Sequence, residues 1–260
     1  MGKTKVLENI RASGVYRNAP ELRMNVLSEN KVRLDEKAEY VVVGGCQIPE
    51  DMPQGFGAFI KMLDRLAIDY TMLSKEYCCG WTPLVQPAVM AKDDENISAS
   101  KELAREFIQG NFYQAEELNA KSIALFCAAC EPSYTNYRDL TALEVITYPE
   151  LIDRFFKGGK LDKSVDYYPG CFRFRKRITT EPLDMDPALR LLRKIKGLEV
   201  NYIDTNQCCF IPPHMEKIKE SLKTKEVVTI CTGCYGKLTK VLQDDYKVKM
   251  MPELILESMQ

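Results

Sequence analysis

The chain has 260 residues, with 36 lysines and arginines against 37 aspartates and glutamates, so its formal net charge is −1 at pH 7. A charge balance this even gives no electrostatic reason to expect nucleic acid or an anionic membrane surface as a partner. No apolar run approaches the roughly 20 residues of a bilayer span, and the N-terminus lacks the pattern of a signal peptide. We therefore expect a soluble, cytoplasmic protein with no membrane span.

Cysteine is the unusual part of the composition, because the chain has ten cysteines and a single histidine, His214. A chain of this length can bury a sizeable core without disulfide staples. In a reducing compartment, cysteines are more often metal ligands or redox thiols than disulfide partners. One histidine excludes the usual Cys/His zinc-finger schemes, so sulfur must carry any bound metal.

Residues 1–38 form a polar N-terminal extension with weak helical periodicity and a proline, Pro20. The pattern fits a surface arm that packs on the domain; the alternative is an arm that docks a partner subunit. Regular patterning of strands and helices begins only after this extension.

The first half of the patterned region runs from residue 39 to residue 158. Its opening run, Tyr40–Val43, is continuously apolar, as is typical of a strand buried on both faces. The sequence then predicts helix 56–66, strand 68–73, helix 100–119, strand 123–126, strand 143–147 and helix 149–156. Cys78-Cys79 follows the second strand, and Cys127-Ala-Ala-Cys130 follows the third and leads into a helix whose first turn contains Pro132.

The second half, residues 159–260, repeats this order. It predicts strand 165–168, helix 187–195, strand 198–203, strand 227–230 and helix 237–243. Residues 67–79 align without gaps on residues 197–209, and Pro149-Glu150-Leu151-Ile152 recurs as Pro252-Glu253-Leu254-Ile255. We therefore predict an α/β fold of two duplicated half-domains with mostly parallel sheets, related by a pseudo-twofold axis, whose ligands bind at the carboxyl ends of the strands.

Each half contains five cysteines. The first set is Cys46, Cys78, Cys79, Cys127 and Cys130, and the second is Cys171, Cys208, Cys209, Cys231 and Cys234. A structural zinc or a cubane iron–sulfur cluster takes four protein ligands, so five indicate a larger or more open centre. Neighbouring side chains on a strand point to opposite sides, and adjacent cysteines therefore suit different irons of one cluster. A lone Cys-x-x-Cys after a strand would also fit a thioredoxin-like dithiol, but that motif needs neither the Cys-Cys pair nor an upstream cysteine.

The spacing of these cysteines resembles the CCG-domain family of cysteine-rich proteins, and within it the B subunits of heterodisulfide reductases. In the first set 31 residues separate Cys46 from Cys78 and 47 separate Cys79 from Cys127, and in the second set the corresponding separations are 36 and 21. The resemblance implies two noncubane [4Fe-4S] clusters, each held by the five cysteines of one half. The second set departs from the family pattern, since Phe210 stands where the first has Gly80. Zinc or an ordinary cubane at one site stays an alternative.

The resemblance also implies a function. The chain would be the catalytic subunit of a heterodisulfide-reductase-like complex that reduces or forms a disulfide, with a small-molecule disulfide or thiol as substrate. Its partners would be the two other kinds of protein found in such complexes, one a ferredoxin-like iron–sulfur protein and the other a flavin-containing protein. The alternative is an electron-relay subunit of a quinone-linked respiratory complex.

Four residues near the cysteines are candidates for substrate contacts or proton transfer. His214 follows the second Cys-Cys pair and can titrate near neutral pH, so it is a candidate proton donor, although a structural histidine explains it as well. Arg173 and Arg175 follow Cys171 and can stabilise an anionic cluster or an acidic substrate, although a solvated loop accounts for them equally. Trp81 is a candidate wall of a substrate pocket or a plain core residue.

Overall fold

The computed structural model describes residues 2–17, 20–46, 48, 52–170, 186–203 and 207–260. Strands and helices alternate along most of this length. In the first half they are α1 (Lys3–Ser13), α2 (Pro20–Glu29), β1 (Tyr40–Val43), α3 (Pro53–Arg65), β2 (Tyr70–Met72), α4 (Gln86–Ala91), α5 (Asp94–Glu117), β3 (Ser122–Leu125), α6 (Glu131–Asn136), β4 (Glu144–Thr147) and α7 (Tyr148–Phe155). In the second they are β5 (Gly159–Tyr168), α8 (Asp186–Arg193), β6 (Ile195–Tyr202), α9 (Pro212–Glu220), β7 (Glu226–Thr229), α10 (Thr232–Leu242), β8 (Lys247–Met250) and α11 (Met251–Ser258).

The strands form two four-stranded sheets with the same internal order. The first sheet runs β2-β1-β3-β4 and the second β6-β5-β7-β8. In the first, β1 pairs in parallel with β2 and β3, and in the second, β5 pairs in parallel with β6 and β7, and β7 with β8. Equal strand order in both halves confirms the predicted α/β fold and its duplication. The pseudo-twofold axis stays a prediction.

The residues of the two halves also share local backbone features at matching positions. Ala67 and Gly197, which align in sequence, both have positive φ angles, 51° and 81°. Gly45 and Gly170, each just before the first cysteine of its set, have φ angles of 86° and 89°. Helices α7 and α11 both carry a proline in their first turn, where the missing N–H leaves no helical hydrogen bond unmade.

Two compact units pack separately. One comprises mainly the described parts of residues 1–50 and 69–146, and the other those of residues 51–68, 147–178 and 184–260. Helix α3, from the first half of the sequence, therefore lies in the second unit, where it packs on α11, while α7 packs on α8. The half-domain boundaries at residues 39, 158 and 159 describe the sequence repeat and stay a prediction.

Strands β1 and β3 of the first sheet are buried on both faces, as their apolar sequences predict. All four residues of β1 are buried, and so are those of β3. Strand β8 has the alternating sequence Lys-Val-Lys-Met and was not predicted. Its Lys249 is buried and forms ion pairs with Glu226 and Glu257. These two carboxylates compensate the cost of burying the lysine charge. Within the described residues, no helix combines the length and apolarity that crossing a bilayer requires.

Asp153 joins α7 to the end of α8. Its carboxylate accepts hydrogen bonds from Arg190 Nε and Lys194 Nζ, both at 2.7 Å. Burial opposes ionisation of Asp153, but the hydrogen bonds from Lys194 and Arg190 outweigh it and lower the pKa of the carboxyl. Because the pKa of Asp153 is lower in the folded than in the unfolded chain, the ionised carboxylate stabilises the fold at any pH above its unfolded pKa of about 4. This stabilisation is lost as the pH falls through the folded pKa.

We predict that Asp153→Asn lowers the free energy of unfolding by about 1–2 kcal/mol at pH 7, because two charge-assisted hydrogen bonds are weakened. The difference from the unmodified protein should shrink as the pH is lowered below about 4. Urea denaturation at a series of pH values measures both effects. Asp139→Asn, at an exposed position, is the matched control and should change neither. A destabilisation that does not depend on pH would contradict the assignment to the carboxylate charge.

Candidate metal centre

The cysteines of the first set follow the carboxyl ends of three adjacent strands. Cys46 follows β1, the Cys78-Cys79 pair follows β2, and the Cys127 motif follows β3. In the sheet order the chain passes from β1 to β2 on one side and then to β3 on the other. The strand order therefore reverses beside β1, which is the position where open parallel sheets bind ligands.

The cysteines of the first set lie near one another in series. Cys46 neighbours Cys78, Cys78 neighbours Cys79, Cys79 neighbours Cys130, and Cys130 neighbours Cys127. Four of them are 2–4% exposed and Cys46 is intermediate. Residues as far apart in sequence as 46 and 130 thus share one buried thiol cluster.

Cys79 is the centre of this cluster. Its sulfur accepts hydrogen bonds from the thiols of Cys130 and Cys78, from the Trp81 backbone N–H and from the Ser133 hydroxyl, and these lower the pKa of Cys79 well below its usual range despite burial. Hydrogen bonds to Cys46 and Cys79 raise the pKa of Cys78, and hydrogen bonds to Cys127 and Cys79 raise that of Cys130; burial raises both further. Within the pair, the site therefore favours the thiolate at Cys79, the form in which a cysteine binds metal.

Two glycines allow the cysteine loops to approach each other. A Cβ atom on Gly45 would lie 2.5 Å from Cys127 Cβ and 3.3 Å from Cys127 Sγ, so only glycine permits the contact between the loops after β1 and β3. Gly80 has a φ angle of 71° and precedes a π-helical turn over Trp81–Val85. That turn is the bend that directs adjacent cysteines into one site.

Asn111, from the long helix α5, fixes the backbone that leads into the Cys-Cys pair. Its side chain accepts from Tyr77 N at 2.8 Å and donates to Tyr77 O at 2.7 Å. The same amide donates to Tyr134 Oη at 2.7 Å, and Tyr134 lies on α6, directly after Cys130. One buried amide therefore ties the Cys-Cys segment to the helix that follows the Cys-x-x-Cys motif.

The N-terminal extension also reaches this site. Cys78 N donates to Gly14 O at 2.7 Å, and the Arg23 guanidinium donates to Glu76 Oε2 at 3.3 Å. Burial, together with the nearby Cys46, raises the pKa of Tyr16 to about 12. Arg17 Nε donates to Tyr16 Oη at 2.8 Å, which places a positive charge beside that hydroxyl. The extension is thus part of the wall around the first cysteine set.

The second set is placed by the same topology, with Cys208-Cys209 after β6 and Cys231 and Cys234 after β7. Cys209, Cys231 and Cys234 are buried and Cys208 is intermediate. Cys171 lies outside the described residues, as do Arg173 and Arg175. The ligand role of all ten cysteines stays a prediction.

His214 lies directly beside the second Cys-Cys pair. Its Nδ1 accepts a hydrogen bond from Cys208 N at 3.2 Å, from the first turn of α9. An Nδ1 that accepts is unprotonated, so a neutral ring carries its proton on Nε2. His214 therefore has a structural contact with the backbone of Cys208. Its role as a proton donor stays a prediction.

The segments after the two Cys-Cys pairs differ in conformation. Phe210 does not have the positive φ angle that Gly80 has at the aligned position. The residue is 46% exposed. Cys208 O instead accepts from Ile211 N at 3.0 Å, which closes a turn. Trp81, which aligns with Ile211, is 7% exposed. Its backbone contact to Cys79 is structural, and its contact with a substrate stays a prediction.

Sequence reasoning missed the polar groups that hold the first site, namely Arg23, Glu76, Asn111 and Tyr134. A glutamate two residues before Cys78 and just after an apolar strand is the one signal that pointed to a buried charge there. Asn111 and Arg23 lie on helices whose sequences give no such signal. Their partners become evident only in the folded chain.

The five cysteines of the first site suit an iron–sulfur cluster, because cysteine thiolates are the usual protein ligands of its iron atoms. The close approach that Gly45 permits brings the loop after β1 against the cysteine loop after β3. Among the described residues, no three His, Cys, Asp or Glu side chains are arranged around a single point as ligands of one metal ion would be.

Comparison with known proteins supports this chemistry. Residues 40–133 match the family model CCG, a cysteine-rich domain, so the predicted resemblance is confirmed for this segment, which contains all five cysteines of the first set. A domain of this kind points to iron–sulfur binding. No curated protein sequence matches the chain.

A search of solved structures finds, among others, the crystal structure of PH1733, an aspartate racemase homologue from Pyrococcus horikoshii OT3. The sequence identity is 12% and the TM-score 0.33, over 84% of this chain and 96% of that chain. A TM-score this low carries no argument about shared structure or function.

We predict that Gly45→Ala destabilises the fold by at least about 1–2 kcal/mol, because the new methyl group meets Cys127 and the residue must keep a positive φ angle. Chemical denaturation of the metal-free protein measures this loss. Gly2→Ala is the control, since a Cβ there meets nothing within 4 Å. Equal stability of the two variants would show that the loops do not need their close approach.

Proposed function

We propose that this chain is the disulfide-converting subunit of a heterodisulfide-reductase-like complex, with one iron–sulfur cluster, of the noncubane [4Fe-4S] type, bound by each five-cysteine set. The observation that carries the proposal is the matching sheet order, which places cysteines after corresponding strands in both halves. Two equivalent sites suit a reaction that needs two electrons, because an iron–sulfur cluster ordinarily passes one at a time.

The reaction is the cleavage of a small-molecule disulfide, RS–SR′, with two electrons and two protons to give two thiols, or its reverse. When bound, the clusters would supply single electrons and an iron able to take a sulfur ligand. The protein would supply the cysteine thiolates, burial of the first site from water, and His214 at the second site, which can donate a proton only as the imidazolium, after Nδ1 has released the Cys208 N–H. No Cys-x-x-Cys-x-x-Cys-x-x-x-Cys-Pro ferredoxin motif occurs in the sequence, so we propose that electrons arrive from two partner proteins, one ferredoxin-like and one flavin-containing.

A second candidate is an electron-relay subunit of a quinone-linked complex. Burial of the first set favours it, since Cys78, Cys79, Cys127 and Cys130 are at most 4% exposed and a substrate sulfur would need to reach them. In that case neither site converts a disulfide, and both only pass electrons between partners.

We predict that the anaerobically purified protein is brown and contains about eight irons per chain, four for each half. Iron analysis and electron paramagnetic resonance measure content and cluster type. Stoichiometric zinc in place of iron would contradict the proposal.

Cys79→Ser and Cys209→Ser test whether both sites convert the substrate. Each variant should lose turnover of an aromatic disulfide with a coloured thiol product, assayed in the isolated complex, even where the other cluster stays assembled and reducible. The two variants serve as controls for each other, because each removes the same atom from one half. Turnover near the unmodified rate in either variant would favour the relay function.

His214→Ala and His214→Asn separate proton donation from positioning. The asparagine Oδ1 can accept the Cys208 N–H that His214 Nδ1 accepts, but it cannot titrate near neutral pH. If His214 is the proton donor, we expect both variants to lower turnover by about a hundredfold or more, the range typical of general acids. Recovery of the rate in the asparagine variant alone would show a positioning role instead.

A further inference from the structure

The side chains of Arg23 and Glu76 form a buried ion pair beside the first cysteine set. The exposed fractions of the two side chains are 4% and 3%, and Arg23 Nη2 lies 3.3 Å from Glu76 Oε2. Arg23 also donates to Leu73 O and Ser74 O, both at 2.9 Å. The arginine of α2 is therefore fixed to the segment that follows β2, and its charge compensates a carboxylate that would otherwise be costly to bury.

Glu76 uses both carboxylate oxygens on the loop that leads to Cys46. Oε2 accepts from Gly44 N at 2.8 Å, and Oε1 accepts from Gly45 N at 2.7 Å. Both distances are typical of strong charge-assisted hydrogen bonds. One carboxylate thus joins the end of β1, just before Cys46, to the end of β2, just before Cys78.

The same carboxylate places a negative charge next to the thiols. Glu76 lies near enough to act electrostatically on Cys46 and on Tyr134, a residue of α6, which follows Cys130. Arg23 bonds to the carboxylate from the N-terminal extension, while the Gly44 and Gly45 amides bond to it from the β1 loop. In a buried site of low dielectric constant, such fixed charges act strongly on any group that gains or loses an electron.

We propose that Glu76 is a positioning residue for the first five-cysteine site, and that the Arg23–Glu76 pair sets the reduction potential of the cluster bound there. The inference rests on the proposed function, because it requires a redox group at this site. The N-terminal extension then has a defined role: its Arg23 neutralises part of the charge that Glu76 presents to the site.

The test is a redox titration followed by electron paramagnetic resonance, in a Cys209→Ser background so that the signal comes from the first site. Glu76→Gln removes the charge at nearly constant shape and should shift the potential in the positive direction. Arg23→Met removes the compensating charge and should shift it in the negative direction, whereas Arg23→Lys keeps the charge and should stay closer to the unmodified value. Glu102→Gln, with a side chain 67% exposed, is the control and should leave the potential unchanged.

The outcomes separate this inference from the proposed function. A protein without iron contradicts the proposed function before any variant is made. A Glu76→Gln variant that keeps the cluster at the unmodified potential overturns the inference while leaving the function intact. If Glu76→Gln loses the cluster, the comparison of Arg23→Met with Arg23→Lys decides: equal potentials overturn the inference, and a lower potential in Arg23→Met supports it.

Discussion

The first site depends on a constraint of parallel sheets: the carboxyl ends of neighbouring strands lie at one edge, and the loops that follow them diverge only where the strand order reverses. In the order β2-β1-β3-β4, that reversal lies beside β1. Three loops from distant parts of the chain meet there. The five cysteines of the first half all lie in these loops, and the second sheet repeats the order.

A cluster of buried thiols is held by backbone and polar contacts, because sulfur alone makes weak hydrogen bonds. Glu76 binds the loop after β1, and Asn111 binds the segment after β2. Gly45 lets the β1 loop touch the loop after β3. These contacts hold the three loops that carry the cysteines of the first set.

The two halves have the same topology but different surroundings. The first site is closed by the N-terminal extension, through Gly14, Tyr16 and Arg23, and by a π-helical turn after Gly80. The second has a titratable histidine bonded to the backbone of its Cys-Cys pair and an exposed phenylalanine after it. The duplicated sheet order therefore places cysteines at corresponding positions in two different surroundings.

The sequence by itself determined the fold class, the duplication and the grouping of the first five cysteines. Apolar runs, helical periodicity and repeated motifs are local patterns, and the parallel-sheet rule converts them into a shared edge. Strand β8 escaped this reasoning because its lysines break the apolar pattern, and only Glu226 and Glu257, distant in sequence, make their burial possible. Hydrophobic patterning cannot anticipate a charge that is neutralised by a remote partner.

Only the tertiary structure decided how the first site is held and what surrounds it. Arg23 and Glu76 are 53 residues apart, and nothing local in either sequence environment identifies the other as its partner. The same holds for Asn111, whose amide reads as an ordinary helix residue until it meets Tyr77 and Tyr134. Side-chain chemistry fixes which atoms can bind a metal, but burial and long-range polar contacts depend on how the whole chain packs. For that reason the ligand candidates were evident in the sequence, and the residues that position them were not.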